Sequence, residues 1–101
     1  MANKELINRA IEHQFVLNLT LRIKRDDYRE ESDIIDKIGS KALDLAAAYN
    51  LPCGDAVWNS GGPAHDPYLQ AWSSDREVLY ELGCAVTAYG KRFKGVTWEA
   101  M

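Results

Sequence analysis

Between Cys53 and Asp66 the chain gathers, within 14 residues, a thiol, an imidazole (His65) and two carboxylates (Asp55 and Asp66). These are the types from which nucleophilic catalysis is assembled, with Cys53 as thiolate, His65 as base and Asp66 or Asp55 as the group that orients the imidazole. Gly61-Gly62-Pro63 could add backbone amides for an oxyanion. Each residue also has a plainer reading. No family signature surrounds the cysteine, a free cysteine commonly behaves as a small hydrophobe, and His65, beside Asp66 and near two prolines, reads as a turn residue. A Gly-Gly-Pro triplet is first a turn, and two carboxylates in a long loop do not define a glycosidase pair. The expectation is that the protein is not an enzyme.

A metal site needs converging ligands, and the chain has two histidines (His13, His65) and two cysteines (Cys53, Cys84), none in a CxxC, HxxxH or HExxH spacing. His65, Asp66 and Asp55 could hold a cation only if the loop folded back on itself. No metal or cofactor is expected, and the two thiols are read as unpaired in a chain without an export signal.

What sets the region apart is charge. From Ala42 to Asp75 the chain runs 34 residues without Lys or Arg while carrying four aspartates (Asp44, Asp55, Asp66, Asp75), two of its three tryptophans and all three prolines. Residues 1–41 balance eight basic against eight acidic side chains, and residues 76–101 hold four against three. A surface built from the middle segment would repel phosphate backbones and attract basic protein surfaces. Residues 44–58 have the outline of a helix-turn-helix, but a recognition helix needs Arg, Lys, Asn or Gln at base edges, and residues 52–61 offer only Asn59. The clusters Arg22-Ile23-Lys24-Arg25 and Lys91-Arg92-Phe93-Lys94 could touch phosphates, although Asp26 and Asp27 follow the first directly. A small DNA-binding regulator is therefore the second reading, and nucleic acid is not the expected partner.

The aromatic side chains Trp58, Tyr68 and Trp72 lie among these aspartates. Trp and Tyr dominate binding hot spots, and acidic rims steer toward basic partners. Asp55, Trp58, His65, Asp66, Tyr68 and Trp72 are accordingly the candidate partner-binding residues, at least one of the two tryptophans being expected to close the core instead. The function expected is that of a stoichiometric inhibitor, adaptor or assembly factor, of the kind phages and mobile elements often encode, acting through an acidic and aromatic loop surface at 51–75 on a larger protein with a basic surface; an enzyme using Cys53 and His65 is the third reading.

The elements that must carry these residues fit one domain of 101 residues with 47% hydrophobic and 27% charged composition. No segment has the apolar run of a signal peptide or membrane span, so a cytoplasmic location follows by default. Ser74-Asp75-Arg76-Glu77 predicts a capping box opening a helix in which Leu79, Leu82, Val86, Tyr89 and Phe93 form a stripe, with Gly95 as its stop. Gly83 and Gly90 share a face of it and predict close approach, most simply by another helix of the same core, the alternative being a groove that receives a partner backbone. A second helix is predicted from a Ser32 cap through Ile35, Ile38, Ala42, Leu45 and Tyr49, ended by Asn50 and Pro52. At the start, Asn3 can cap a helix with Leu6, Ile7, Ala10 and Ile11 on one face, extended by Leu17 and Leu21. Residues 15–24 compete as a strand, since Phe15, Leu17, Leu19, Leu21 and Ile23 alternate with polar residues. The only other strand-like pieces are 56–58 and 96–98. Residues 51–73 read as a long connection with short helical turns near 55–58 and 67–72. The resulting expectation is a mostly α domain, three helices in a small bundle with a partly helical loop; the alternative is α+β, with a strand at about 15–24 pairing within the chain or across a homodimer.

Overall fold

Leu17, Leu19 and Leu21 decide the architecture. In a helix, residues two apart point to nearly opposite sides, whereas a strand sets all three on one face. All three have no exposed surface. In the computed structural model, which describes residues 3–12, 15–24, 28–62 and 65–100, the first helix (α1, Asn3–Ala10) stops before them and they lie on a strand, β2 (Val16–Ile23). The helical bundle is thereby overturned in favour of an α+β fold, three helices on a five-stranded antiparallel sheet.

The partners of β2 come from every other part of the chain. A two-residue strand, β1 (Ile11–Glu12), pairs with its start. Beside β1, β5 (Val96–Ala100) covers the rest of that edge, with Trp98 opposite Leu21. Along the other edge runs β4 (Tyr68–Trp72), with Ala71 opposite Leu17 and Leu69 opposite Leu19. Outside β4 lies β3 (Asp55–Asn59), with Trp58 opposite Leu69. The segment expected as a loop with helical turns is thus a β-hairpin. Ala56 and Trp58, then Leu69 and Ala71, alternate with outward residues, and the turn between the strands is tightened by Gly61 at φ 84° and by a Gly62–His65 bridge.

Helix α2 (Tyr28–Tyr49) joins β2 to β3, and α3 (Arg76–Gly90) joins β4 to β5. Each βαβ unit therefore has parallel strands with a strand of the other unit between them, the split βαβ arrangement of ferredoxin-like folds. Ile34, Ile38, Ala42 and Ala46 of α2 and Leu79, Leu82 and Val86 of α3 are buried with the inward face of the sheet. Helix α1 docks beside them, its Ile7 lying where a Cβ at Gly83 would meet its side chain at 3.0 Å. The close approach expected at Gly83 and Gly90 is therefore internal, to Ile7 in one case and Trp98 in the other. Trp58 and Trp98 reach inward from the two outer strands and meet edge to face, 6.4 Å between ring centres. Each indole occupies the space of a missing Cβ, Trp58 at Gly39 of α2 and Trp98 at Gly90 of α3.

Helix boundaries differ from expectation for local reasons. α2 begins at Tyr28, a turn before Ser32, with Glu30 and Glu31 in its first turn. Asn50, at φ 50°, ends it as predicted. α3 is capped by Asp75, whose Oδ1 accepts from the Glu77 amide at 3.0 Å. Ser74 instead donates its hydroxyl to the Pro52 carbonyl (3.1 Å), tying the helix start to the α2–β3 turn. The helix ends at Gly90, and Gly95 (φ 84°) belongs to the turn into β5. Cys53 and Cys84 are both free thiols. Among the described residues no helix is long and apolar enough to cross a membrane.

Candidate functional site: the open face of the sheet

The same alternation that buries the leucines of β2 sends its other side chains outward, and the paired strands follow. Read across the sheet, the outer face carries the rows Val16–Trp72–Asp55, then Asn18–Gln70–Val57, then Glu99–Thr20–Tyr68–Asn59, and finally Thr97–Arg22. From Val16 to Arg22 the face is roughly 20 Å long at about 3.3 Å per residue. Among the described residues the helices pack on the opposite side, so this face is open, its side chains ranging from the nearly buried Asn18 to the exposed Arg22, Val57 and Trp72.

The face changes character along its length. At the Val16 end, Phe15 is 50% exposed and Trp72 37%, and with Val16, Cys53, Ser73 and Ser74 they border a shallow apolar groove of about 450 Å³. Val57, 45% exposed, adjoins them on β3. In the middle, Asn18 is nearly buried and its Oδ1 accepts from Gln70 Nε2 at 3.1 Å, a cross-strand bond that holds both amides in place. At the far end Arg22 bridges two carboxylates, Asp66 and Glu99, each at 3.2 Å. Against Asp55, Asp66 and Glu99 this face sets Arg22, which is ion-paired, and the exposed Lys24, whose amide donates to the Gly95 carbonyl at 3.0 Å and which follows Arg22 on the same side of the strand.

The predicted site residues divide. Tyr68 and Trp72 share the outer face of β4, and Asp55 stands at the outer edge beside Trp72, its Oδ1 accepting from the Ala56 amide at 2.8 Å. Asp66 reaches the face through Arg22. His65 is exposed in the hairpin turn, its amide and carbonyl bonded to Gly62. It borders a second groove of about 420 Å³ between that turn and Glu31, Ser32 and Asp36 of α2. Trp58 turns away from all of these into the core.

The catalytic constellation does not assemble. Cys53 precedes β3 and His65 follows it, so the strand alone separates them by roughly 13 Å. The Gly62 amide is already donated to the His65 carbonyl (3.0 Å), and Pro63 of the Gly-Gly-Pro triplet lies outside the described residues. No group of three metal-ligating side chains occurs among the described residues; His13 falls outside them. Residues 44–58 are the end of α2, a turn and β3, so no recognition helix exists. Of the basic clusters, Arg25, Asp26 and Asp27 lie outside the described residues, and Arg92 sits over the Tyr89 ring at 5.3 Å. Elsewhere on α3, partial burial and then the Cys84 thiol one turn away raise the Tyr80 phenol above its usual value.

Phe15, Val16, Asn18, Thr20, Val57, Gln70 and Glu99 are parts of this face that residue types alone did not single out, and the sequence marks Arg22 only as part of a basic cluster. The period-two pattern at 15–24 was the signal for Asn18, Thr20 and Arg22, which must share a face once the segment is a strand; it set Phe15 with the leucines, whereas Phe15 precedes β2 and is exposed. No protein-family model matches the chain, and no curated protein matches it.

Proposed function

We propose that the chain is a stoichiometric protein-binding module, an inhibitor, adaptor or assembly factor, that docks a basic partner surface on the open face of its sheet. The observation that carries this reading is the composition of that face: two aromatic side chains on a central strand, exposed Val57 and Phe15 beside them, and three carboxylates against an ion-paired arginine and Lys24 at the far end. Trp72 and Tyr68 supply large contact area at little entropic cost and serve as anchors. Asp55, Asp66 and Glu99 orient the partner and speed its approach.

Sheets of this topology can also stack single-stranded bases on central-strand aromatics. Such sites need cations along the backbone track, and here Arg22 is committed to Asp66 and Glu99, so charge favours a protein. The test is capture from the source cell with the wild type, a Tyr68→Ala/Trp72→Ala variant and a control altered on the far side of α2, Lys37→Ala, all shown folded by circular dichroism. A partner with a basic surface, lost with the double variant, kept by the control and weakened by salt, supports the reading. Equal capture by the double variant refutes it, and tighter binding of a single-stranded oligonucleotide than of any protein would replace it.

A further inference from the structure

One edge of the sheet is unprotected. Among the described residues β3 pairs only with β4, so its outer side has no strand partner, and α2 packs on its inner face. Edge strands are usually blunted by lysine, proline, a bulge or a covering element. The sequence Asp55-Ala56-Val57-Trp58-Asn59 has no lysine or proline, and it matches β4 residue for residue without a bulge. The Ala56 amide donates to Asp55 Oδ1 rather than into the ladder with β4. By antiparallel alternation the backbone groups of Ala56 and Trp58 therefore point outward, and those of Asp55, Val57 and Asn59 serve β4.

We propose that β3 pairs antiparallel with β3 of a second copy about a two-fold axis through Val57, joining two sheets into one. In this register all five residues pair. Ala56 faces Trp58 of the second copy and the reverse, so the outward backbone groups meet as two hydrogen-bonded pairs. Asp55 faces Asn59, so the carboxylate meets a neutral amide and no like charges are opposed. Val57 faces itself at a non-hydrogen-bonded position, where side chains come closest. The local Asp55–Ala56 bond is exchanged for one to the carbonyl of Trp58 in the second copy.

The helix layer agrees with the same axis. A groove of about 290 Å³ runs along this edge between β3 and α2, bordered by Leu43, Ala47, Asn50, Asp55 and Ala56. Gly39 of α2 packs against Trp58, and Leu43, Ala47 and Asp55 border the same groove farther along the edge. At about 1.5 Å per helical residue and about 3.3 Å per strand residue, Leu43 then stands level with Val57. The two-fold axis brings the 41% exposed Leu43 against its own copy, Ser40 near Ala47, and Asp36 near Asn50. Small residues at the crossing let the helices approach to about 8–10 Å.

The experiment is sedimentation equilibrium on the full chain. The wild type is expected to be dimeric at sub-millimolar concentration, and Val57→Lys and Val57→Glu, each folded by circular dichroism, are expected to weaken dimerisation roughly tenfold or more. Mixing the two variants should restore a dimer, because lysine and glutamate then face each other at the axis. Leu43→Glu gives a second, independent loss on the helix layer. A monomeric wild type, single Val57 variants that remain dimeric, or a mixture that stays monomeric each overturns the proposal.

Discussion

Gly39→Ala is the most direct probe of how the two layers fit. Gly39 lies mid-way along α2, where helix propensity alone favours alanine by about 1 kcal/mol. A Cβ there, however, would fall on the Trp58 indole, against Nε1 and Cδ1 and 2.7 Å from Cε2. An indole whose inward face also meets Trp98 cannot yield as a flexible chain end can, and overpacking of this kind costs about 1–3 kcal/mol. The contact involves three ring atoms, which puts the cost toward the upper end, so the net loss is about 1–2 kcal/mol after the propensity gain. For a domain of this size that lowers the melting temperature by roughly 4–16 °C. Urea unfolding followed by far-ultraviolet circular dichroism measures it without relying on Trp58 fluorescence. The paired variant Gly39→Ala/Trp58→Phe should lose less than the sum of the two single changes, because the smaller ring vacates the contact. A Gly39→Ala protein more stable than the wild type, or strict additivity with Trp58→Phe, would refute the packing argument.

Further outcomes follow from the hairpin and the ion pairs. At Gly54 a Cβ would fall on the Trp72 carbonyl oxygen, 2.6 Å from its carbon and 2.8 Å from Ser73 Cα; all three are backbone, so Gly54→Ala should cost about 3 kcal/mol or more in urea unfolding. Gly62→Ala, where nothing lies within 4 Å, should stay within about 0.5 kcal/mol of the wild type. Arg22→Ala removes two half-exposed ion pairs and should change stability by no more than about 1 kcal/mol. It leaves Asp66 and Glu99 unneutralised, so association with a basic partner should become faster and more salt-sensitive in stopped-flow measurements.

The sequence showed most where one element alone fixes the pattern. Helix α3 has Leu79, Leu82 and Val86 at helical spacing, and they are buried as that spacing requires. The strand reading of 15–24 was present in the alternation of its leucines, but a strand is credible only with partners, and its partners were hidden. β3, β4 and β5 have five residues each, which leaves two or three inward positions per strand, too few to establish a period. β3 and β4 also lie among the Gly, Pro and Asn residues of the hairpin turn, whose punctuation reads as loop. Which of Trp58 and Trp72 closes the core was hidden for a related reason. The receptor of Trp58 is Gly39, 19 residues earlier on a different element, and only the folded chain shows that a glycine inside a 22-residue helix is the gap an indole fills.

Charge shows most clearly what folding adds. The run from Ala42 to Asp75 is acidic along the chain, yet its aspartates do not form one surface. Asp75 caps α3, Asp44 lies exposed on α2, Asp55 holds the Ala56 amide at the sheet edge, and Asp66 pairs with Arg22, which lies 44 residues away. Two of the four therefore border the open face, and β5 adds Glu99, a residue outside the run. The acidic excess narrows to one charge, because Arg22 and Lys24 stand against the three carboxylates. Its position is set by strand register, Thr20 opposite both Tyr68 and Glu99, and register is what a linear count of charges cannot contain. An acidic and aromatic surface was thus foreseeable from composition, while its membership required the sheet. The bundle reading could not place Asn18, Thr20 and Arg22 beside Tyr68 and Trp72, because it had put β2 in a helix and β4 in a loop.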